Sequence, residues 1–324
     1  MDSYLFYLIS RLALGTFRLI PRPIAYRLLD ALATLTFLAD ARHRKIARVN
    51  LTIAFPGLSD GERDAIAVRS FRNTARNLLE VSRMPLLNSG TVGSIVRYDP
   101  EQGLNNFELA TSRGRPILYL TGHFSAWELL PTAHALLGHP LAFVTRPLDN
   151  PHLERYLQGV REAAGNTVIP KKSAAREILE RLKAGGSVGI LMDQNTTLQE
   201  GMFADLFGVP AATSTGLALF ALRTGATVLP GYLKPMRQGK YTIKFLPPVE
   251  LQRTGEMASD IAENTRIFNR ILEGIIREQP EAWLWGHKRW KNQPPGNPAD
   301  LYSLPQEELR AFVRAAHGGA QPPA

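Results

Sequence analysis

Two long apolar runs open the chain, and each is typical of a helix with few polar positions. They cover residues 4–20 and 24–38, and prolines separate them. Arg11 and Arg18 interrupt the first run seven residues apart, so on a helix they share one edge. As a helix the first run would measure roughly 25 Å, which is short of the roughly 30 Å hydrocarbon core of a bilayer. The pattern therefore predicts a helix lying in a membrane interface, or a tilted span whose arginines reach the head groups.

The same two helices have a second possible use, which is to cover an apolar face of the main domain, and the two uses are compatible. The arginines inside the first run disfavour a signal peptide. Four cations follow the second run, at Arg42, Arg44, Lys45 and Arg48. Such a cluster suits anionic head groups, and the positive-inside rule would place it in the cytoplasm.

Beyond residue 100, β-like segments alternate with helical patterns. The predicted strands are residues 117–121, 141–145, 168–169, 188–192 and 228–233, and the predicted helices are residues 126–137, 151–164, 173–183 and 214–224. This alternation predicts an α/β fold with a mixed, mostly parallel sheet flanked by helices. Residues 241–245 would add an antiparallel hairpin strand at an edge.

The chain divides by composition into three predicted parts. Residues 1–43 form an apolar and basic helical arm, which we expect to associate with a membrane. Residues 44–293 form the α/β domain, and residues 294–324 form a tail that begins with a proline-rich loop and contains one short helix at residues 305–316.

Charge and cysteine content narrow the possible chemistry. The chain has 38 Lys and Arg against 29 Asp and Glu, a formal net charge of +9, which suits anionic partners such as nucleic acid, anionic lipid or an acidic carrier protein. It has no cysteine, which excludes disulfides, thiolate nucleophiles and Cys-ligated metals. No zinc-like spacing of histidines and no phosphate-binding glycine loop occurs, so we expect neither a metal nor a cofactor.

One histidine lies where ligands bind on an α/β sheet. In the stretch YLTGHFSAWELL, His123 directly follows a predicted strand, and Glu128 comes five residues later. On one continuous helix the two would be about 140° apart and could not pair. If Ser125 is the N-cap, His123 lies in the preceding loop and can fold back to Glu128. The carboxylate would then fix the imidazole tautomer and leave the other nitrogen basic.

A purely structural explanation fits the same spacing. Ser125-Ala-Trp-Glu128 is an S-x-x-E capping box, in which Glu128 would only satisfy the backbone amide of the N-cap. A single histidine after a strand is also commonly a loop or packing residue. Spacing alone leaves both interpretations open.

The stretch GHFSAWE resembles the H-x4-(D/E) box of glycerolipid acyltransferases, in the form GHFGNWE or NHFGNWE that is typical of the late lauroyl and myristoyl acyltransferases of lipid A biosynthesis. Further segments resemble that family in order along the chain: RKIARVNLTIAFP (44–56), FVTRPLDNPHLERY (143–156), GILMDQN (189–195), MFADLFGVPAATSTGLALFALRTGA (202–226) and PEAWLWGHKRWK (280–291). The residues before the Phe-Gly at 207–208 depart from the family pattern, which leaves the acyl chain length open.

The resemblance implies roles for five residues. His123 would be the general base for a lipid hydroxyl, and Glu128 would orient and charge-stabilise its imidazole. Arg146, after a neighbouring strand, would hold a phosphate or the developing thioester oxyanion. Asp193 and Gln194 end another strand and would either contact the site or cap the next loop.

The implied enzyme transfers a fatty acyl chain from acyl carrier protein to a hydroxyl of a lipid A precursor or related glycolipid, on the cytoplasmic face of the inner membrane. The alternatives are another lipid acceptor, with a coenzyme A donor included, and a catalytically idle membrane-binding scaffold. Nucleic acid is disfavoured because no nucleic-acid-binding motif is present. The aromatic and cationic segment at residues 283–290 suits either a membrane–water boundary or a C-terminal clamp on the sheet.

Overall fold

The computed structural model describes residues 3–171 and 174–318. The chain forms two compact units, each assembled from three stretches of sequence. Unit 1 consists of Met1–Asp30, Thr74–Leu191 and Arg223–Glu250, and unit 2 consists of Ala31–Asn73, Met192–Leu222 and Leu251–Ala324. The arm, domain and tail boundaries inferred from composition stay a prediction.

The described residues form eleven α-helices and nine strands, besides short 3-10 helices. The helices are α1 (Ser3–Leu19), α2 (Arg22–Ala39), α3 (Ala41–Ala54), α4 (Asp60–Arg83), α5 (Leu104–Thr111), α6 (Leu129–Leu136), α7 (Pro151–Glu162), α8 (Ala174–Lys183), α9 (Gly216–Thr224), α10 (Met257–Glu278) and α11 (Gln306–Ala316). The strands are β1 (Val96–Tyr98), β2 (Ile117–Thr121), β3 (Ala142–Thr145), β4 (Thr167–Pro170), β5 (Val188–Leu191), β6 (Gly201–Leu206), β7 (Val209–Ser214), β8 (Thr227–Pro235) and β9 (Tyr241–Phe245).

Unit 1 contains a seven-stranded sheet with the order β1-β9-β8-β2-β5-β3-β4. The central strand β2 pairs in parallel with β5 and β8, and β3 pairs in parallel with β5 and β4. Among the described strands of this sheet, only β8 and β9 pair antiparallel. The predicted α/β fold with a mixed, mostly parallel sheet and flanking helices is therefore confirmed.

The predicted antiparallel strand at residues 241–245 is present, but its position at an edge is wrong. The outer side of β9 pairs with β1, in the register Val96↔Tyr241 to Tyr98↔Ile243. A strand of three residues is too short to show an alternation of apolar and polar positions, so β1 could not be predicted from the sequence. The core beside this sheet contains Tyr119 of β2, Leu129 of α6 and Phe143 of β3.

Helix α1 packs within unit 1. Arg18 donates to the Ser82 carbonyl and, over 2.8 Å, to the Tyr156 hydroxyl of α7. The Arg11 guanidinium lies 4.2 Å from the centroid of the Tyr156 ring. Both arginines therefore lie on one face, as their spacing predicts, but that face contacts α7. No helix in residues 3–171 and 174–318 has the length and apolar content needed to cross a membrane.

A buried ion pair fixes the start of α2 in the same unit. The Glu80 side chain is fully buried, accepts from Arg22 over 2.8 Å, and accepts from the Tyr26 hydroxyl over 2.6 Å. Burial raises the pKa of Tyr26 well above its usual range. The use of the arm as a cover for the main domain is thus realised in unit 1, through these polar contacts and through the apolar cluster of Ala25, Leu29 and Leu79.

Unit 2 contains the antiparallel hairpin β6–β7 and helix α10. The Asn269 amide of α10 donates to the carbonyls of Ala204 and Asp205 and to the Thr213 hydroxyl, over 3.0 to 3.2 Å. The helix predicted at residues 214–224 begins only at Gly216, because Thr213 and Ser214 complete the ladder of β7.

Candidate active site

The chain between β2 and α6 is an irregular turn. The Phe124 amide donates to the Gly122 carbonyl over 2.8 Å, which makes a tight three-residue turn directly after the strand. Ser125 has φ +52°, in the left-handed region that non-glycine residues seldom adopt. Helix α6 begins at Leu129, so the start predicted at residue 126 is wrong.

The left-handed backbone explains why Ser125 cannot act as predicted. An N-cap residue has extended backbone and leads straight into the first helical turn, whereas Ser125 lies four residues before Leu129. The N-cap position of α6 is Glu128 itself, and its side chain makes no capping hydrogen bond. The capping-box explanation is therefore wrong. In the family form GHFGNWE the residue at this place is glycine, which adopts left-handed backbone freely.

His123 is positioned by this turn at the carboxyl edge of the central strand. It is the second residue after β2 ends, it is half-buried, and its ring centroid lies 5.3 Å from that of Trp127. The edge beyond the carboxyl ends of parallel strands is where such sheets bind ligands. The assignment of His123 as a general base stays a prediction.

Glu128 is held by a partner that sequence reasoning missed. The Arg161 Nε donates to Glu128 Oε2 over 2.9 Å, and the Arg161 Nη2 donates to Oε1 over 2.6 Å. The Glu128 amide donates to the Asn77 side chain over 3.3 Å. Both carboxylate oxygens of Glu128 thus accept from Arg161, and the predicted orienting contact of Glu128 with His123 stays a prediction. The sequence contained one signal for this partner. Arg161 follows Val160 in a predicted helix, on the side that faces the core.

Arg146 lies one residue beyond the end of β3, on an exposed part of the chain. In the sheet order, only β5 separates β3 from β2, so Arg146 follows a strand near that of His123. Its role towards a phosphate or an oxyanion stays a prediction.

Asp193 and Gln194 follow β5 in sequence and belong to unit 2. Asp193 is buried and accepts from the Trp283 indole over 2.7 Å. The next amide, that of Asn195, donates to His287 Nε2 over 3.0 Å. Asp193 therefore has a structural partner in its own unit, and the substrate contacts predicted for Asp193 and Gln194 stay predictions.

The aromatic segment near residue 285 is buried, so the membrane-boundary interpretation is wrong for its tryptophans. Trp283, Trp285 and Trp290 are at most 2% exposed. Arg289 is fully buried and donates to the Ala212 carbonyl and the Thr213 hydroxyl, both over 2.6 Å. Desolvation lowers the pKa of Arg289 to about 10. The segment clamps the β6–β7 hairpin within unit 2.

A second histidine, His134, is buried in helix α6. His134 of α6 contacts the Tyr119 hydroxyl over 2.8 Å at Nε2 and the Tyr98 hydroxyl over 2.9 Å at Nδ1. Burial, and to a lesser degree the neighbouring His139, lowers the pKa of His134 to about 3. A neutral imidazole has one donor and one acceptor nitrogen, which suits two hydroxyl partners. In the described ranges no group of three ligating side chains could hold a metal ion.

Comparison with known proteins agrees with the motif. The family model for bacterial lipid A biosynthesis acyltransferases matches residues 2–292. The lauroyltransferase of lipid A biosynthesis from Escherichia coli is 28% identical over 90% of this chain and 94% of its own length. The palmitoleoyltransferase of the same organism is 27% identical over 81% of this chain and 82% of its own.

Among solved structures, the 1-acyl-sn-glycerophosphate acyltransferase from Thermotoga maritima matches with 16% identity and a TM-score of 0.35, covering 78% of this chain and 98% of that one. A score this low does not establish a common fold. The family match extends over nearly the whole chain and includes the turn with His123 and Glu128. The protein therefore belongs to the bacterial lipid A biosynthesis acyltransferase family and is an acyltransferase.

Proposed function

We propose that the protein transfers a fatty acyl chain from acyl carrier protein to a hydroxyl of a lipid A precursor, at the cytoplasmic face of the inner membrane. The observation that carries this proposal is the carboxylate of Glu128, fixed at both oxygens within the turn that positions His123 at the end of β2. The names of the relatives, which are lauroyl-, palmitoleoyl- and myristoyltransferases of lipid A biosynthesis, support the choice of acceptor.

In the proposed reaction, His123 accepts the proton of the acceptor hydroxyl. The hydroxyl oxygen attacks the thioester carbonyl, the new carbon–oxygen bond forms, and the carbon–sulfur bond breaks. The thiolate that leaves takes a proton from the imidazolium, which restores the base. Glu128 stabilises the positive charge on His123, and Arg146 stabilises the carbonyl oxygen or an acceptor phosphate. A positioned base of this kind contributes about 10²- to 10⁴-fold to the rate.

The test compares His123→Ala and Glu128→Gln with His43→Ala, which replaces an exposed histidine in unit 2. Purified enzyme is supplied with acyl carrier protein thioesters and a lipid A precursor, and product is measured by mass spectrometry. We expect loss of most activity in the first two variants and full activity in the third. Activity retained in His123→Ala, or transfer only to lysophospholipids, would contradict the proposal.

Net charge supports an acidic carrier protein as donor. A chain with a formal charge of +9 attracts an acidic partner, and salt screens that attraction beyond about 8 Å at physiological ionic strength. The rate with acyl carrier protein at low donor concentration should therefore fall steeply with added salt, while the rate with acyl coenzyme A should be lower throughout. Equal use of both thioesters at low salt would argue for a different donor.

An exposed apolar stripe on α1 supports membrane binding. Leu5, Leu8, Ile9 and Leu12 recur at helical spacing, and they are between 45% and 73% exposed. The contacts of Arg11 and Arg18 with α7 are made from a different face of α1. The stripe is therefore available to lie in the head-group region of a bilayer.

The membrane test uses substitutions that leave the contacts with α7 intact. Leu8→Ser combined with Leu12→Ser should weaken sedimentation with vesicles containing phosphatidylglycerol, since each change removes apolar burial worth about 1.5 to 3 kcal/mol when complete. Leu109→Ser replaces a 49% exposed leucine of α5 and is the matched control. Equal sedimentation of both variants would place the membrane contact elsewhere.

A further inference from the structure

Arg161 is a buried cation beside the proposed catalytic pair. Arg161 is 7% exposed, and two of its three guanidinium nitrogens donate to the two carboxylate oxygens of Glu128. The third nitrogen, Nη1, is buried and has no hydrogen-bond partner among the residues that the structure describes. Within the described part of the chain, the specific contact of Arg161 is thus a two-point fork on Glu128.

This arrangement is poorly suited to a purely stabilising role. Burying a guanidinium removes its hydration, and leaving Nη1 unpaired adds a further penalty. A buried ion pair of this kind commonly contributes no more than apolar residues of the same volume would. The fork does, however, fix the plane of the carboxylate, because two parallel hydrogen bonds permit only one orientation.

The two partners differ in how firmly the backbone holds them. Arg161 lies in the last turn of α7, a helix whose start is capped by the Asn150 side chain and whose Tyr156 binds Arg18 of α1. Glu128 lies in the irregular turn that contains the left-handed Ser125. Helix α7 is therefore the more firmly held element, and Arg161 on this helix sets the position of the Glu128 carboxylate in the turn.

We propose that Arg161 is a positioning residue for acyl transfer, which holds Glu128 in the orientation that serves His123. This inference rests on the proposed roles of His123 and Glu128. Each carboxylate oxygen has two lone pairs, and the fork uses one on each. The remaining lone pairs stay available to an imidazole, in a direction that Arg161 sets. Arg161 need not touch either substrate.

The test is a double-mutant cycle with kcat and KM determined separately. The variants are Arg161→Gln, Glu128→Gln and the two combined. If Arg161 acts through Glu128, Arg161→Gln should lower kcat about 10- to 100-fold with little change in KM, because misplacement of the order of 1 Å is that costly. In the Glu128→Gln background the same change should lower kcat no further.

The matched control is a second buried Arg–Glu pair in the same unit. Arg22→Gln breaks the pair with Glu80, whose side chains are 14% and 0% exposed. It should lower the melting temperature and leave kcat unchanged. Arg161→Lys is the second variant, for the case that Arg161→Gln does not fold. Lysine keeps the positive charge but cannot make the two-point contact with Glu128. This variant should therefore also lower kcat at unchanged KM.

The possible results distinguish a failure of the positioning role of Arg161 from a failure of the proposed function on which that role rests. Equal losses of kcat from Arg161→Gln in both backgrounds would overturn the positioning role, as would full kcat in Arg161→Lys. Near-full activity of Glu128→Gln would instead contradict the proposed catalytic pair itself. An inactive Glu128→Gln beside a fully active Arg161→Gln would leave that pair standing and refute only the role of Arg161.

Discussion

The buried imidazole of His134 should make the protein lose stability as the pH falls below neutrality. The ring is 2% exposed and lies between the Tyr98 and Tyr119 hydroxyls, with His139 as the titratable neighbour. The informative change is His134→Gln, which keeps one donor and one acceptor group and removes the titration.

The size of the effect follows from the difference between two pKa values. The pKa of His134 is about 3 in the folded protein against 6.5 for an unperturbed histidine. Between these values the unfolded chain binds the proton and the folded chain does not, so the stabilising contribution is complete above pH 6.5 and is lost as the pH falls towards 3. Each pH unit is worth about 1.4 kcal/mol, which gives a loss of about 2 kcal/mol at about pH 5.

The assay is urea unfolding of wild type and His134→Gln at about pH 7.5 and about pH 5, compared as a difference in the free energy of unfolding. We expect the advantage of wild type over the variant to shrink by about 2 kcal/mol between the two pH values. Tyr98→Phe is the control, because it removes one hydrogen bond but keeps the imidazole, so its difference from wild type should vary much less with pH. A pH-independent difference for His134→Gln would show that the imidazole titrates normally and that the reasoning is wrong.

Three further changes have expected outcomes. Ser125→Gly should be neutral or stabilising by up to about 1 kcal/mol, because glycine adopts left-handed backbone without strain, and a clear drop in melting temperature would contradict this. Asn269→Ala should destabilise by about 2 to 3 kcal/mol, because it leaves buried carbonyls of β6 unpaired; a loss under about 0.5 kcal/mol in urea unfolding would contradict it. Deleting residues 1–20 should lower the activity of detergent-solubilised enzyme, because Tyr156 loses both arginine partners, and an unchanged kcat would show that α1 does not support the site.

The strands of the parallel sheet could be predicted because their sequences are determined locally. Residues 117–121 are a continuous apolar run that ends at Gly122, and they coincide with β2, whose first four residues are buried. The run at 228–233 lies within β8 for the same reason. His123 and Arg146 follow predicted strands in the sequence. The direction of the chain was therefore enough to place them at the ends of β2 and β3.

The details of the candidate site depend on contacts that no local pattern contains. Arg161 is 33 residues from Glu128 in sequence, so only the folded α7 brings the two together. The capping box failed because the backbone at Ser125 is left-handed, a conformation that glycine signals and serine does not. The β6–β7 hairpin was missed because residues 201–206 lack a regular alternation of apolar and polar positions, and their partner strand and Asn269 stabilise them instead.

The two faces of α1 connect membrane binding with the support of the candidate site. One face carries the exposed stripe of Leu5 to Leu12, and the other holds Tyr156 of α7 through Arg11 and Arg18. Helix α7 in turn carries Arg161 one and a half turns beyond Tyr156, on the carboxylate of Glu128. A bilayer that binds the apolar face of α1 would therefore restrain the helix that α7 packs against. If the acceptor is a membrane lipid, as proposed, the element that would meet the bilayer would also support the helix proposed to orient the catalytic pair.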